Sequence, residues 1–438
     1  MNLAFFEDDL YENFLPLTYT RPVYDLRCGI DELHKKICRV YPEAKKVYFT
    51  RDYLAPVFAK KLGAPVNDVD ALDDDTVFVN GRLLPSERLK EVVQHSVGKN
   101  VVALQDGQPV LISLKSELCR EHGDLFLTPL TKDSLLTLKG KAEFKEVKGL
   151  TLLEYPWDLI EHNGELIKEE FSIVAKGEPE GEIDERAVIY GDPKNLYVAK
   201  GAFIEAGVVI DVRGGPIYIG EDSYVQTISR LEGPSYLGRD NRIFGAQIRE
   251  GCSFGDVCRI GGEVEETIIQ GYTNKRHLGF VGHAYIGQWV NLGALTTNSD
   301  LKNDYSSVQV YVKGKFIDSG ITKLGCFIGD HAKTSIGCLL NTGTVIGVMS
   351  NVLAGGEATP KFIPSFCWYF RNRFSRGRGL RKMIETARVV MSRRGVTLTE
   401  EEIKLYERLY EITREEREKL IRRSRAKLRR KQEADIKG

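Results

Sequence analysis

From Val198 onward an apolar residue recurs at every sixth position. Val198, Ile204 and Ile210 form one run, and Ile219, Val225, Leu231, Leu237 and Ile243 form the next. Ile248, Phe254 and Ile260 follow, then Phe280, Ile286 and Leu292, then Ile328, Thr334, Leu340, Ile346 and Val352. Of these 19 positions only Thr334 is not apolar, whereas the 42% hydrophobic content alone predicts about eight apolar. A period of six fits neither an amphipathic helix nor a hairpin-linked meander. It fits a parallel β-helix of hexapeptides, in which each apolar residue points inward and stacks on its equivalent one coil further on. A glycine often comes next, as at Gly220, Gly238, Gly255, Gly287, Gly329 and Gly347, and is expected to let the backbone turn each corner. Two interruptions, Gly261–Gly279 and Ala294–Leu324, are expected to project as loops, where function concentrates.

The chain has 438 residues, enough for two or three domains. The first part reads as mixed α/β, with strands at Leu3–Phe6, Lys46–Thr50, Thr76–Asn80, Val101–Leu104 and Val110–Leu114. Asp31–Val40 and Ser86–Gln94 read as helices, and Tyr155–Ile160 leads into a short one. Five Asp between Asp68 and Asp75 read as a solvated loop rather than a metal cluster. Lys plus Arg and Asp plus Glu are both 62, which argues against a chain built as a nucleic-acid binder. No run approaches the roughly 18 apolar residues of a spanning helix, and the acidic start is unlike a signal peptide. The eight scattered Cys contain no CxxC pair and read as reduced thiols in a cytoplasmic protein. Cys252 and Cys258, six apart, are expected to be buried and inert.

The zero net charge hides an asymmetry. Phe366–Gly438 carries 22 Lys and Arg against 11 Asp and Glu, a net of +11 that leaves −11 on the rest. Thr399-Glu400-Glu401-Glu402 reads as a capping box, and Leu405, Leu409, Ile412, Leu420 and Leu428 as the apolar stripe of the helix it starts. The stripe is expected to pack on the body or on a neighbouring subunit; nucleic-acid or anionic-membrane contact by Arg422–Lys431 is the alternative. Phe362, Phe366, Trp368, Tyr369 and Phe370 are expected to cap the open end of the solenoid.

The hexapeptide pattern resembles that of the hexapeptide-repeat acyltransferases, whose coil is left-handed. Pro16-Leu17-Thr18-Tyr19-Thr20-Arg21-Pro22 and Val77-Phe78-Val79-Asn80-Gly81 resemble segments of sugar-1-phosphate nucleotidyltransferases. Together the chain resembles the bifunctional N-acetylglucosamine-1-phosphate uridylyltransferase/glucosamine-1-phosphate acetyltransferase family. More closely, it resembles that group's sugar nucleotidyltransferase-like branch, through Pro16–Ile30 and Gly261–Thr296. The resemblance implies a nucleotidyltransferase-like, Rossmann-like α/β domain at 1–170 and a left-handed parallel β-helix at 171–365; the charge and apolar stripe described above make 366–438 a basic helical tail. It also implies acetyl-CoA, Mg2+, a sugar phosphate or nucleotide sugar, and a homotrimer.

The departures from the family matter as much. Its Gly-rich phosphate loop is replaced by Glu7-Asp8-Asp9-Leu10-Tyr11-Glu12-Asn13, whose carboxylates would repel a triphosphate. Arg82 stands where the metal-binding Asp should follow Gly81, and a guanidinium does not ligate magnesium. Arg21, Arg27 and Arg82, with Thr18 and Asn80, are candidates for a phosphate site of another design; structural ion pairs are the competing reading.

In the β-helix, His277-Leu278-Gly279-Phe280-Val281-Gly282 resembles the acetyltransferase segment with the catalytic His, a base suited to deprotonate an amine nucleophile. A surface His following Lys275 and Arg276 is the bland alternative. Asn291, Lys323 and Arg249 match family positions that contact the amino sugar or its phosphate, and Lys275 is a further candidate. Glu265 and Glu266 replace two Lys, a reversal that argues against a phosphate at that place. A zinc set of His277, His283 and His331 does not match the spacing of the zinc β-helix enzymes. Three functions follow: acetyl transfer to an amino sugar, nucleotidyl transfer with an oligomerising β-helix, or a non-catalytic nucleotide-sugar-binding scaffold.

Overall fold

A computed structural model describes residues 1–437, of which 430–437 are described by backbone alone. Arg430 and Lys431, part of the basic run singled out above, therefore lie outside the described side chains.

The chain divides into two compact units. The first comprises Met1–Phe14, Thr20–Leu26 and Asp31–Tyr155; the second comprises Leu15–Tyr19, Arg27–Ile30 and Pro156–Gly438.

In the first unit, strands β1 (Asn2–Phe6), β2 (Lys45–Tyr48), β3 (Thr76–Asn80), β4 (Val101–Gln105), β5 (Gln108–Leu114) and β6 (Glu143–Glu146) form one sheet in the order 2-1-3-5-4-6. Its β2-β1-β3 half is parallel, and β5 runs antiparallel to β3 and β4. Both faces are covered, so β1 and β3 are buried along their whole length, as continuous apolar runs require. Leu3, Phe5, Val77 and Val79 pack into one core and Ala4, Phe6 and Phe78 into the other. Helices α1 (Leu33–Val40), α2 (Ala55–Leu62), α3 (Glu87–Ser96), α4 (Ser116–His122) and α5 (Lys132–Leu135) complete this α/β unit.

In the second unit α6 (Pro156–Val174) runs for 19 residues, longer than the short helix expected. A three-faced parallel β-helix follows. One face stacks nine strands, from Leu196–Val198 to Phe362–Ile363, with Val198, Ile219, Leu237, Phe254, Ile286, Ile328, Ile346 and Ile363 pointing into one continuous core. The glycines act differently from the expectation. Gly220, Gly238 and Gly347 do not adopt left-handed φ; instead the coils touch there. A Cβ on Gly220 would lie 2.5 Å from the carbonyl carbon of Gly238.

The register corrects two expectations. Gly261–Gly279 is no projecting loop: Ile268–Gly271 and Asn274–Lys275 are rungs, and only the corner Arg276–Gly279 departs from the coil. Because that corner is long, the next inward residue is Val281, and Phe280 faces outward. Ala294–Leu324 does hold an excursion, in which Gln309–Val312 pairs antiparallel with Lys315–Asp318.

The tail forms α7 (Leu380–Ser392), α8 (Glu400–Ile412) and α9 (Arg414–Lys437). Thr399 and Glu402 make the reciprocal capping box. The expected single helix is broken at Thr413, and the buried stripe runs on across the break. Leu405, Leu409, Thr413, Arg417 and Ile421 are buried, and Ile412 is exposed. Arg417 lies over the Tyr410 ring at 3.8 Å, which accounts for a cation on an apolar stripe. The aromatic cluster at the end of the solenoid is partly a coil of its own. Trp368–Phe370 continues the ladder and Arg373–Ser375 closes it as an antiparallel strand.

Candidate functional site

Strand β1 delivers Glu7 and Asp8 to the place where a phosphate loop was looked for. Both carboxylates are buried and saturated. Glu7 accepts from the Val23 backbone N–H at 2.8 Å, the Thr50 hydroxyl at 2.7 Å and two guanidinium nitrogens of Arg51 at 3.1 Å. Asp8 accepts from Asn80 Nδ2 at 2.8 Å and from Arg82 Nε at 2.9 Å. Arg82 also donates to Gln108 Oε1 at 2.8 Å and to the Leu153 carbonyl, and is 0% exposed.

The five phosphate candidates are thus all buried, and the structure does not gather them. Arg82 and Asn80 are spent on Asp8, and Arg21 stands 3.5 Å from Asp25. Thr18 and Arg27 belong to the second unit. The backbone N–H of Arg27 donates to Gln270 Oε1 and to the Tyr285 hydroxyl, while those of Gly29 and Ile30 donate to Asn163 and Glu170. The Leu-Arg-Cys-Gly-Ile run is thereby a structural clamp on the coil. Mg2+ does not fit at Arg82. A magnesium site needs oxygen ligands at about 2.0–2.1 Å, and the carboxylate there is already held by a guanidinium.

In the second unit the corner Arg276–Gly279 carries His277, whose side chain is exposed. Lys275 occupies an inward position in register with Ile260 and is 2% exposed. Its amine donates to the carbonyls of Gly261 and His277, each at 2.7 Å, and burial brings it down to about 8. Lys275 therefore holds the corner from inside the coil, where no substrate reaches it. The other flank is held as well: Leu295 N–H donates to the Leu278 carbonyl at 2.8 Å, and Arg276 lies over the Phe244 ring at 4.4 Å. Asn291 accepts from Asn274 Nδ2 at 2.7 Å.

On the next face, Lys323 pairs with Glu265 at 3.5 Å, and Arg249 pairs with Glu263 at 3.3 Å and Glu232 at 3.7 Å. Sequence reasoning missed the His283 cluster. His283 Nδ1 lies 2.9 Å from Asp300 and its Nε2 3.4 Å from Glu266. Burial pushes the Asp300 carboxyl up, but His283 outweighs it and holds the group below its ordinary value. The available signal was coil length, since His283/Asp300 and Asn274/Asn291 are both 17 residues apart. His331 is bound elsewhere, with Nε2 3.0 Å from the Tyr406 hydroxyl. All eight cysteines are free thiols, and burial pushes that of Cys258 up to about 12.

These features define a class: an α/β unit of nucleotidyltransferase type followed by a hexapeptide β-helix and helices. Residues 3–178 match the family model described as sugar nucleotidyl transferase. The chain is 41% identical over 93 residues to the bifunctional sugar-1-phosphate nucleotidylyltransferase/acetyltransferase of Sulfurisphaera tokodaii, covering 21% of this chain and 23% of that one. It is 24% identical over 317 residues to the bifunctional protein GlmU of Methanocaldococcus jannaschii, covering 64% of this chain and 70% of the relative. Among solved structures, the UDP-N-acetylglucosamine acyltransferase of Francisella novicida aligns at 15% identity with a TM-score of 0.32, over 51% of this chain and 76% of that one. That likeness is too low to carry any argument.

Proposed function

We propose that the chain is a cytoplasmic transferase of sugar-nucleotide metabolism that moves an acetyl group from acetyl-CoA to the amine of an amino-sugar derivative. What supports this reading is an exposed His277 on a corner pinned from both flanks, in a segment that resembles the one carrying the catalytic His of hexapeptide acetyltransferases. The donor is a substrate that supplies an acetyl thioester. His277 takes the proton from the attacking amine as nitrogen bonds to the thioester carbon; the carbon–sulfur bond then breaks, and the imidazolium returns the proton to the departing thiolate. Asn291 is the proposed sugar contact, its amide able both to donate and to accept. Lys323 and Arg249 already carry carboxylate partners, which favours an acceptor without a phosphate on that face.

Nucleotidyl transfer by the first unit is the second reading. The family match favours it, and the Asp8–Arg82 pair in place of a metal site opposes it.

The test is thiol release from acetyl-CoA against amino sugars, amino-sugar phosphates and nucleotide-linked amino sugars. The expected result is acceptor-dependent release that falls about 10²–10⁴-fold in His277→Ala, with the melting temperature unchanged because the side chain is exposed. Release unchanged in the variant, or none with any acceptor, overturns the proposal.

A further inference from the structure

One outward column of the β-helix changes character toward its end. Lys333, Asn351 and Trp368 stand in register on successive rungs, below Asn291. Neighbouring rungs of a sheet lie about 4.8 Å apart, so an ammonium, an amide and an indole follow one another along a single line. The tail then returns past them. Arg378 precedes α7 and Lys382 lies in its first turn, and both line the same cleft as the column, together with His331.

The cleft is open to solvent and has a volume of about 110 Å3. One water needs roughly 10–15 Å3, so a phosphoryl group has room. Among the described residues its lining includes Lys333, Arg378, Lys382 and His331, and no carboxylate. That composition is unusual in this molecule, where the cations of the neighbouring face are paired with acids. Lys333 donates one hydrogen bond, to the His331 carbonyl at 2.9 Å, and an ammonium has three donors. Burial brings its amine down to about 8. Lys382 does have a partner, Glu385 at 2.9 Å, but that carboxylate is not part of the lining. The indole N–H of Trp368 is buried with no hydrogen-bond partner among the described residues.

We propose that this cleft binds a phosphorylated small molecule, with its phosphoryl group among Lys333, Arg378 and Lys382 and its organic part against Trp368 and Asn351. The chemistry matches group by group. Ammonium groups act on phosphate as point charges, and a guanidinium acts as a two-pronged donor. An indole gives a flat apolar platform for a base or a sugar ring. The site does not depend on the acetyl-transfer reading, because it shares no residue with the His277 corner.

The test is calorimetric titration of the full chain at constant ionic strength with inorganic phosphate, a sugar 1-phosphate and a nucleoside diphosphate, with sulfate as the control for a non-specific anion. Saturable binding of at least one phosphate compound more tightly than sulfate is expected. The double variant Arg378→Gln/Lys382→Gln should weaken it by roughly tenfold or more for each charge removed, and His277→Ala should leave it unchanged. His277, Arg378 and Lys382 are all exposed, so unchanged melting temperatures in both variants report that folding is intact. Tightest binding by the nucleotide identifies a base on Trp368, whereas tightest binding by the sugar phosphate identifies a sugar there. Equal affinity for sulfate, or affinity unchanged in the double variant, overturns the proposal. So does loss of binding in His277→Ala, which would place the ligand at the other site.

Discussion

Lys275 shows how a single position can be read correctly for charge and wrongly for place. Its amine is charged at neutral pH in spite of burial, because two carbonyls accept from it. Its folded value near 8 lies below the ordinary 10.5, so the unfolded chain binds the extra proton between those values. Stability therefore rises as pH climbs through that window, since burying the ammonium costs less as it deprotonates. The measurement is urea unfolding from pH 7 to 10 in the native chain and in Lys275→Met. The native chain should gain about 1–3 kcal/mol more than the variant over this range. The same side chain holds the His277 carbonyl, so the corner should also loosen in that variant. Asp8 and Arg82 teach the converse lesson. Acidic residues where phosphate should bind looked repulsive, and two of them, Glu7 and Asp8, prove to be the counter-charges of the buried Arg51 and Arg82.

At the scale of elements, the β-helix is held by inward residues stacked from coil to coil and by glycines where coils touch. Gly220→Ala tests the second part. The added methyl would sit 2.5 Å from the carbonyl carbon of Gly238, so a rigid neighbour has to move. A loss of about 1–3 kcal/mol by chemical denaturation is expected. Gly63, left-handed at the end of α2 with open space around it, should lose a smaller amount on the same change, from backbone strain alone. The tail helices follow different logic. Thr413 and Arg417 continue the buried stripe of Leu405 and Leu409 across the break between α8 and α9, and the apolar Ile412 points away. A strict count of apolar residues placed Ile412 on the stripe because it could not know that Tyr410 and Phe366 would receive a guanidinium.

For the whole molecule, the homotrimer that the family resemblance implies is tested by light scattering on the eluting protein. A trimer has a mass of about 148 kDa, three times 49.3 kDa, and a mass near that of one chain would overturn it. No helix among the described residues is long and apolar enough to cross a membrane. The six-residue period by itself determined the parallel β-helix, because only that architecture stacks equivalent residues at such spacing. The alternation of apolar runs and helical patterns likewise determined the α/β unit, since both faces of a parallel sheet must be covered. Tertiary structure alone decided which side chains are accessible. Phe280 turned outward because a four-residue corner shifted the register, Lys275 turned inward, and Arg27 became part of a clamp on the coil. It also brought Arg378 and Lys382 beside Lys333, residues about fifty apart in the chain. Periodicity fixes the direction of each residue within its own coil. What that residue meets depends on where distant segments return, and no local pattern encodes that.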